Sequence, residues 1–152
     1  MEIKRSSDPS LLASLNEEVQ NLHHKIQPKI FKPFSLDAMT EFFKTYLQDD
    51  STKAFIAYDD EPMGYIVLTI RESDEDSFTY ATRTLNIDQI CIKKEFRKRG
   101  IGKALVDFAK AYAEDLDVQR IEMSFWTDNE NSGQFFSQQG FKKYQERMSY
   151  IL

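Results

Sequence analysis

The stretch "IDQICIKKEFRKRGIGKAL", residues 87–105, decides the fold. Ile87, Ile90, Cys91 and Ile92 make a short apolar run of strand character, and Gly100 then punctuates the chain. Beyond it Ile101, Ala104, Leu105, Phe108, Ala109 and Tyr112 fall at i, i+3, i+4, i+7, i+8 and i+11, the spacing of a long amphipathic helix. A strand that feeds a helix through a glycine-containing turn leaves backbone N–H groups unpaired at the positive end of the helix dipole, which is an anion site. The charges agree with that reading. Lys93, Lys94, Arg97, Lys98, Arg99 and Lys103 surround one acid, Glu95, inside a chain of net charge −5. Phosphate is the natural guest. Two phosphate motifs fail here. A Walker A loop needs a glycine where Arg97 stands and a hydroxyl where Ala104 stands, and a dinucleotide fingerprint needs Gly or Ala where Leu105 stands.

Outward from this stretch the element order is mixed. "MEIKR" alternates and reads as an edge strand. Ser7 or Asp8 then caps a helix with Pro9 at its first position, and Leu12, Leu15, Val19, Leu22 and Ile26 share one face. Pro28 and Pro33 break it, and Ser35 caps a second helix carrying Leu36, Met39, Phe43, Tyr46 and Leu47. Two β-rich runs around Asp59-Asp60-Glu61-Pro62 predict a hairpin. The acidic "ESDEDSFTYATRT" predicts a loop or a poorly paired extension. After the long helix, "VQRIEMSFW" predicts a strand, "NSGQFFSQQ" a short helix stopped by Gly140, and "FKKYQERMSYIL" one or two closing strands. The expectation is a single domain over residues 1–152.

Composition removes several function classes. A chain with 25 acidic and 20 basic residues offers no general surface for nucleic acid or anionic membrane. Its only cysteine, Cys91, allows no intrachain disulfide and no multi-cysteine metal site, so no metal is expected and a reducing, cytoplasmic setting is. No apolar run is long enough to span a bilayer, and the first residues lack the apolar centre of a signal peptide.

What does match at the glycines is R-x-x-G-x-G, Arg97 to Gly102, at the head of an amphipathic helix. Farther on, "NENSGQFFSQQGF" places Asn129, Ser132, Phe135 with Phe136, and Gly140 with Phe141. Taken together, with one helix and one strand between them, the two segments resemble the acyl-coenzyme A signature and the later motif of the GNAT superfamily of N-acetyltransferases. The resemblance covers roughly the C-terminal half. It implies an α/β fold with a mostly antiparallel twisted sheet flanked by helices on both faces. It also implies acetyl-CoA as cofactor and a primary amine of a small molecule as acceptor, in a direct ternary complex. The alternatives are a peptide or protein acetyltransferase and a silent acyl-CoA sensor.

The resemblance assigns the pyrophosphate to backbone N–H groups of Lys98, Arg99, Gly100, Ile101, Gly102 and Lys103, behind Arg97. Lys98 stands where the family often has glycine and is expected to keep an ordinary φ. Ile90, Cys91 and Ile92 would pair with the pantetheine arm along a strand that splays from its neighbour, and Asn129 is a further coenzyme candidate. Cys91 is read as a small core residue, because no His or Asp nearby in sequence suggests an activated nucleophile. An alkyl ammonium is almost wholly protonated near neutral pH, so acetyl transfer to it needs a proton acceptor. Asp88 is the leading candidate, expected by alternation on the same face as Ile90 and Ile92. Phe136 stands where the family's acid is commonly a Tyr. Since Phe cannot donate a proton, Tyr144, Tyr150 or bulk water would reprotonate the thiolate. His23, bordering the apolar stripe of the first helix, is the candidate substrate contact. The closing strands make a homodimer a further expectation.

Overall fold

The computed structural model describes residues 1–152. Five strands form one sheet in the order β1-β2-β3-β4-β5: β1 Glu2–Ser6, β2 Thr52–Tyr58, β3 Pro62–Ser73, β4 Thr82–Ile92 and β5 Arg120–Glu122. All neighbours are antiparallel except β4 and β5, which are parallel and joined by a helical crossover. Helices α1 (Pro9–Ile26) and α2 (Leu36–Tyr46) follow β1, α3 (Ile101–Glu114) makes the crossover, and α4 (Glu130–Gln138) follows β5. No helix is long and apolar enough to cross a membrane.

Both faces of the sheet are buried, which is why its central strands read as continuous apolar runs. On one face Leu12, Leu15 and Phe43 of α1 and α2 pack on Ala54, Ile56, Tyr65, Val67 and Cys91. On the other, Ile101, Leu105, Val106 and Ala109 of α3, with Phe136 of α4, pack on Phe55, Ile66, Leu68, Leu85 and Ile87. The expected fold class is therefore what the chain adopts. Asp8 caps α1, its carboxylate accepting from the N–H groups of Ser10 at 3.0 Å and Leu11 at 3.1 Å, with Pro9 following. Ser35 caps α2.

Three expectations need correction. The acidic run is no loose extension along its whole length, because β3 and β4 stay paired out to Ser73 and Thr82 and leave residues 74–81 as the loop. The strand expected over "VQRIEMSFW" is only Arg120–Glu122. The closing strands do not form: residues 142–152 adopt no strand and are exposed along their length.

Candidate functional site

The β4–β5 ladder ends at the pair Asn86↔Glu122, whereas β4 continues to Ile92. From Ile87 onward one edge of β4 has no neighbouring strand, the splay that the family resemblance implied. On its other edge β4 pairs with β3 through a bulge: Val67 faces Gln89 and Leu68 faces Ile87, so Asp88 is the extra residue. The bulge overturns the expectation from simple alternation. Ile90 and Ile92 pack against the α3 side, while Asp88 turns to the α1/α2 side and accepts hydrogen bonds from Arg71 Nη2 at 2.9 Å and from the Tyr46 hydroxyl. The next residue is held on that side as well. Asn16 Nδ2 donates to the Tyr65 hydroxyl at 2.7 Å, and that hydroxyl donates to Gln89 Oε1 at 2.8 Å. Burial and the bond to Asp88 push the Tyr46 phenol up to about 12, and burial raises Tyr65 as well.

After β4 a single 3₁₀ turn, Lys94–Phe96, leads into the glycine loop. Here the structure departs again from expectation. Lys98 takes φ +61°, the left-handed region, and Gly100 follows at φ +79° as the cap of α3. Two left-handed residues flanking Arg99 turn successive N–H groups toward one side, the arrangement of an anion nest. The N–H groups from Lys98 through Lys103 donate to no protein acceptor, and the first bonded amide of the helix is Ala104 N, on Gly100 O at 3.0 Å. Gly102 serves a different purpose. A Cβ there would lie 3.2 Å from Phe135 Cζ, so glycine lets α3 and α4 approach closely.

The cations of the loop divide into two groups. Arg97 Nε donates to Ile92 O at 3.1 Å and its Nη2 to Glu18 at 2.8 Å, and the other oxygen of Glu18 accepts from Lys94 N at 3.0 Å. The loop is thereby tied to both β4 and α1. Lys93 pairs with Glu61, and Lys103 with Asp107. Lys98 and Arg99 have no carboxylate partner, and Arg99 lies over the Phe96 ring at 5.4 Å. They remain available to a phosphate.

These elements enclose a cleft of about 560 Å³. Of the residues singled out from sequence, it brings together Ile90, Cys91, Ile92, Arg97, Lys98, Gly100, Ile101, Gly102, Lys103 and Asn129. Asn129 also caps α4, its Oδ1 accepting from Ser132 N at 3.3 Å. The Cys91 thiol donates to Leu15 O at 3.2 Å, and burial pushes it up to about 11, far from thiolate at neutral pH. Arg99 and Asp88 lie outside the lining, as does His23, which stacks on Phe31 at 4.7 Å and whose imidazole burial pushes down. Phe31 in turn meets Trp126 edge-on. Tyr144 lies beside β5, where Arg120 sits 5.1 Å from its ring, and Tyr150 projects into solvent at 87% exposure; neither reaches the cleft. Phe136 lines the cleft although it is almost wholly buried. Val19 and Leu22 were legible only as members of a helical stripe, yet they line the wall facing α4, and Glu18 carried no signal in sequence at all.

A family model, the Acetyltransferase (GNAT) family, matches residues 16–141. The chain belongs to the GNAT family. A Lactobacillus delbrueckii subsp. lactis relative, described as an uncharacterized N-acetyltransferase in the pepI 3′ region, is 27% identical over 94 residues, which make up 62% of this chain and 53% of that protein. The GNAT chain thus matches about half the length of that relative. Among solved structures, the tetramutant of the BH1408 protein from Bacillus halodurans superposes with a TM-score of 0.93 at 20% identity over 100% of both chains. The aminoglycoside N-acetyltransferase AAC(6′)-Iy, solved in complex with CoA, gives 0.69 at 19% identity over 99% of this chain and 93% of that one. At these identities the likeness is one of fold, and it places this sheet and these helices among GNAT architectures.

Proposed function

We propose that this GNAT protein transfers the acetyl group of acetyl-CoA to a primary amine of a small molecule by direct attack in a ternary complex. One observation carries the reading: the unbonded amides from Lys98 to Lys103 open onto a cleft beside the unpaired edge of β4. Such a cradle suits a diphosphate, and Lys98 and Arg99 add cations with no competing acid. When bound, acetyl-CoA supplies the activated thioester. The residues of the chain hold and orient it: amides 98–103 grip the diphosphate, and the edge of β4 at Ile90 to Ile92 that no strand pairs faces the pantetheine arm. Asn129 would add a polar contact from the α4 side. The buried, protonated Cys91 thiol favours direct attack over a covalent acyl-enzyme.

In this reading Asp88 accepts the amine proton, reached through the Tyr46 hydroxyl or a water because the carboxylate lies on the α1/α2 side of the bulge. With Phe136 at the acid position and both Tyr144 and Tyr150 away from the cleft, solvent reprotonates the thiolate. His23 acts on the acceptor side only through its stack with Phe31. A small soluble amine is the acceptor, in keeping with the aminoglycoside enzyme that shares the fold. The test is titration with coenzyme A followed by thiol release across polyamines, aminoglycosides, amino acids and peptides. Saturable binding with turnover on a free amine supports the proposal. Turnover on peptides alone moves the acceptor class. Binding without turnover on any amine replaces the enzyme with an acyl-CoA sensor, the reading that the buried Phe136 favours.

A further inference from the structure

A hydrogen-bond relay runs through the α1/α2 side of the sheet, next to the bulge. Asn16 of α1 and Tyr65 of β3 are buried, Gln89 of β4 is partly buried, and the Tyr65 hydroxyl joins the two amides at 2.7 Å and 2.8 Å. Burial holds the phenol protonated, so its single proton goes to one amide and a lone pair serves the other. Two directions satisfy the same geometry, because each amide can be turned over.

The two directions differ in what they leave unpaired. With Asn16 Nδ2 donating to Tyr65 and Tyr65 donating to Gln89 Oε1, the orphan inside the protein is Asn16 Oδ1. Reversal would put the two N–H donors of the Asn16 amide in that place, the costlier loss, since buried N–H groups go unpaired more rarely than buried carbonyls. The core therefore sets the direction, and the direction sets the outer end. Gln89 turns Oε1 inward and Nε2 outward. That nitrogen has no partner in the protein, and unlike Asn16 Oδ1 it is open to solvent.

The place of Gln89 along β4 gives this donor a use. With the diphosphate at amides 98–103, the pantetheine arm runs from Ile92 back toward Ile90, and the thioester end falls beyond Ile90, where Gln89 and Asp88 follow. Both side chains are held on the α1/α2 side, Asp88 by Arg71 and Tyr46. A free donor beside the proton acceptor is matched by an oxygen on the incoming amine. A second ammonium group, which has only donors, cannot match it.

We propose, resting on the acetyl transfer above, that Gln89 is a specificity-determining residue with Tyr65 and Asn16 as its positioning residues: Gln89 Nε2 donates to an oxygen carried close to the reacting amine and so selects oxygen-bearing amines over alkyl amines and polyamines. A site built to make such a bond discriminates against the analogue that lacks the oxygen.

The test compares 2-methoxyethylamine with butylamine, which have the same length and differ in one ether oxygen that accepts but cannot donate. Thiol release gives kcat/KM for each amine with the parent, Gln89→Glu and Tyr65→Phe. Dividing the parent's methoxy-to-butyl ratio by that of a variant cancels the difference in amine basicity. Gln89→Glu keeps the shape and the bond from Tyr65 but turns an oxygen outward, so the quotient is expected at about 3- to 10-fold or more, the worth of one hydrogen bond. Tyr65→Phe frees the amide to turn over and should give a value between one and that of Gln89→Glu. A role confined to packing would lower both amines alike and leave each quotient at one. A quotient of one for Gln89→Glu overturns the inference and leaves the acetyl transfer standing, and if Tyr65→Phe does not fold, Gln89→Glu alone decides. A parent that turns over other amines but not 2-methoxyethylamine likewise overturns this inference alone. A parent that releases no thiol with any amine overturns the acetyl transfer along with it.

Discussion

Gly100→Asp isolates the electrostatic part of the cradle. The residue is exposed at φ +79°, and a Cβ added there meets nothing within 4 Å, so the substitution creates no clash. Its backbone cost is about 1–2 kcal/mol for an ordinary residue in the left-handed region, and less for Asp or Asn, which tolerate it. The new carboxylate lies among amides 98–103, where the diphosphate is proposed to sit. At about 5 Å and an effective dielectric of about 20, each pair of like charges repels by about 3 kcal/mol, and solvent exposure reduces this to about 1–2 kcal/mol, or roughly 10- to 30-fold in affinity. Gly100→Asn makes the same backbone demand without the charge and should bind coenzyme A within about threefold of the parent. Calorimetric titration of the three proteins at low and high salt is the assay, and the Asp defect should shrink as salt rises. Equal weakening by Asp and Asn would make the effect one of backbone strain. No weakening by either would remove the diphosphate from this loop.

Asp88→Asn should lower turnover by about 10²- to 10⁴-fold while leaving coenzyme A binding unchanged; undiminished turnover would leave Asp88 only the task of holding the bulge. Cys91→Ala should retain turnover, and in the parent the thiol should resist alkylation near neutral pH until the protein unfolds, as its shift to about 11 requires. Because the folded Tyr46 phenol titrates near 12 against an ordinary 10.0, the folded state holds its proton more tightly, so stability is intact below pH 10 and falls as pH rises from there toward 12. Tyr46→Phe should flatten that fall in urea titrations run across the alkaline range, while costing about 1–2 kcal/mol at neutral pH through the lost bond to Asp88.

Read alone, the sequence determined the features that depend on near neighbours in the chain. Helix α3 follows from the 3.6-residue spacing of Ile101 to Tyr112, the caps at Ser35 and at Ser7 or Asp8, between which the structure chooses Asp8, from their short polar side chains, and the turn with its unpaired amides from a strand running into Gly100. The two motifs around Gly100 and Asn129 also pointed to the family. Tertiary structure decided what depends on partners distant in sequence. Alternation assigns Asp88 to the face of Ile90 only if the strand is regular, and the bulge against Val67 and Leu68 reverses it. Glu18, far from the glycines along the chain, becomes the anchor of Arg97 because α1 crosses that end of the sheet. Lys98 adopts a left-handed backbone, which its residue type does not announce in the sequence. A strand pattern at residues 144–152 produces no strand within one chain, since a strand exists only where another edge accepts its hydrogen bonds.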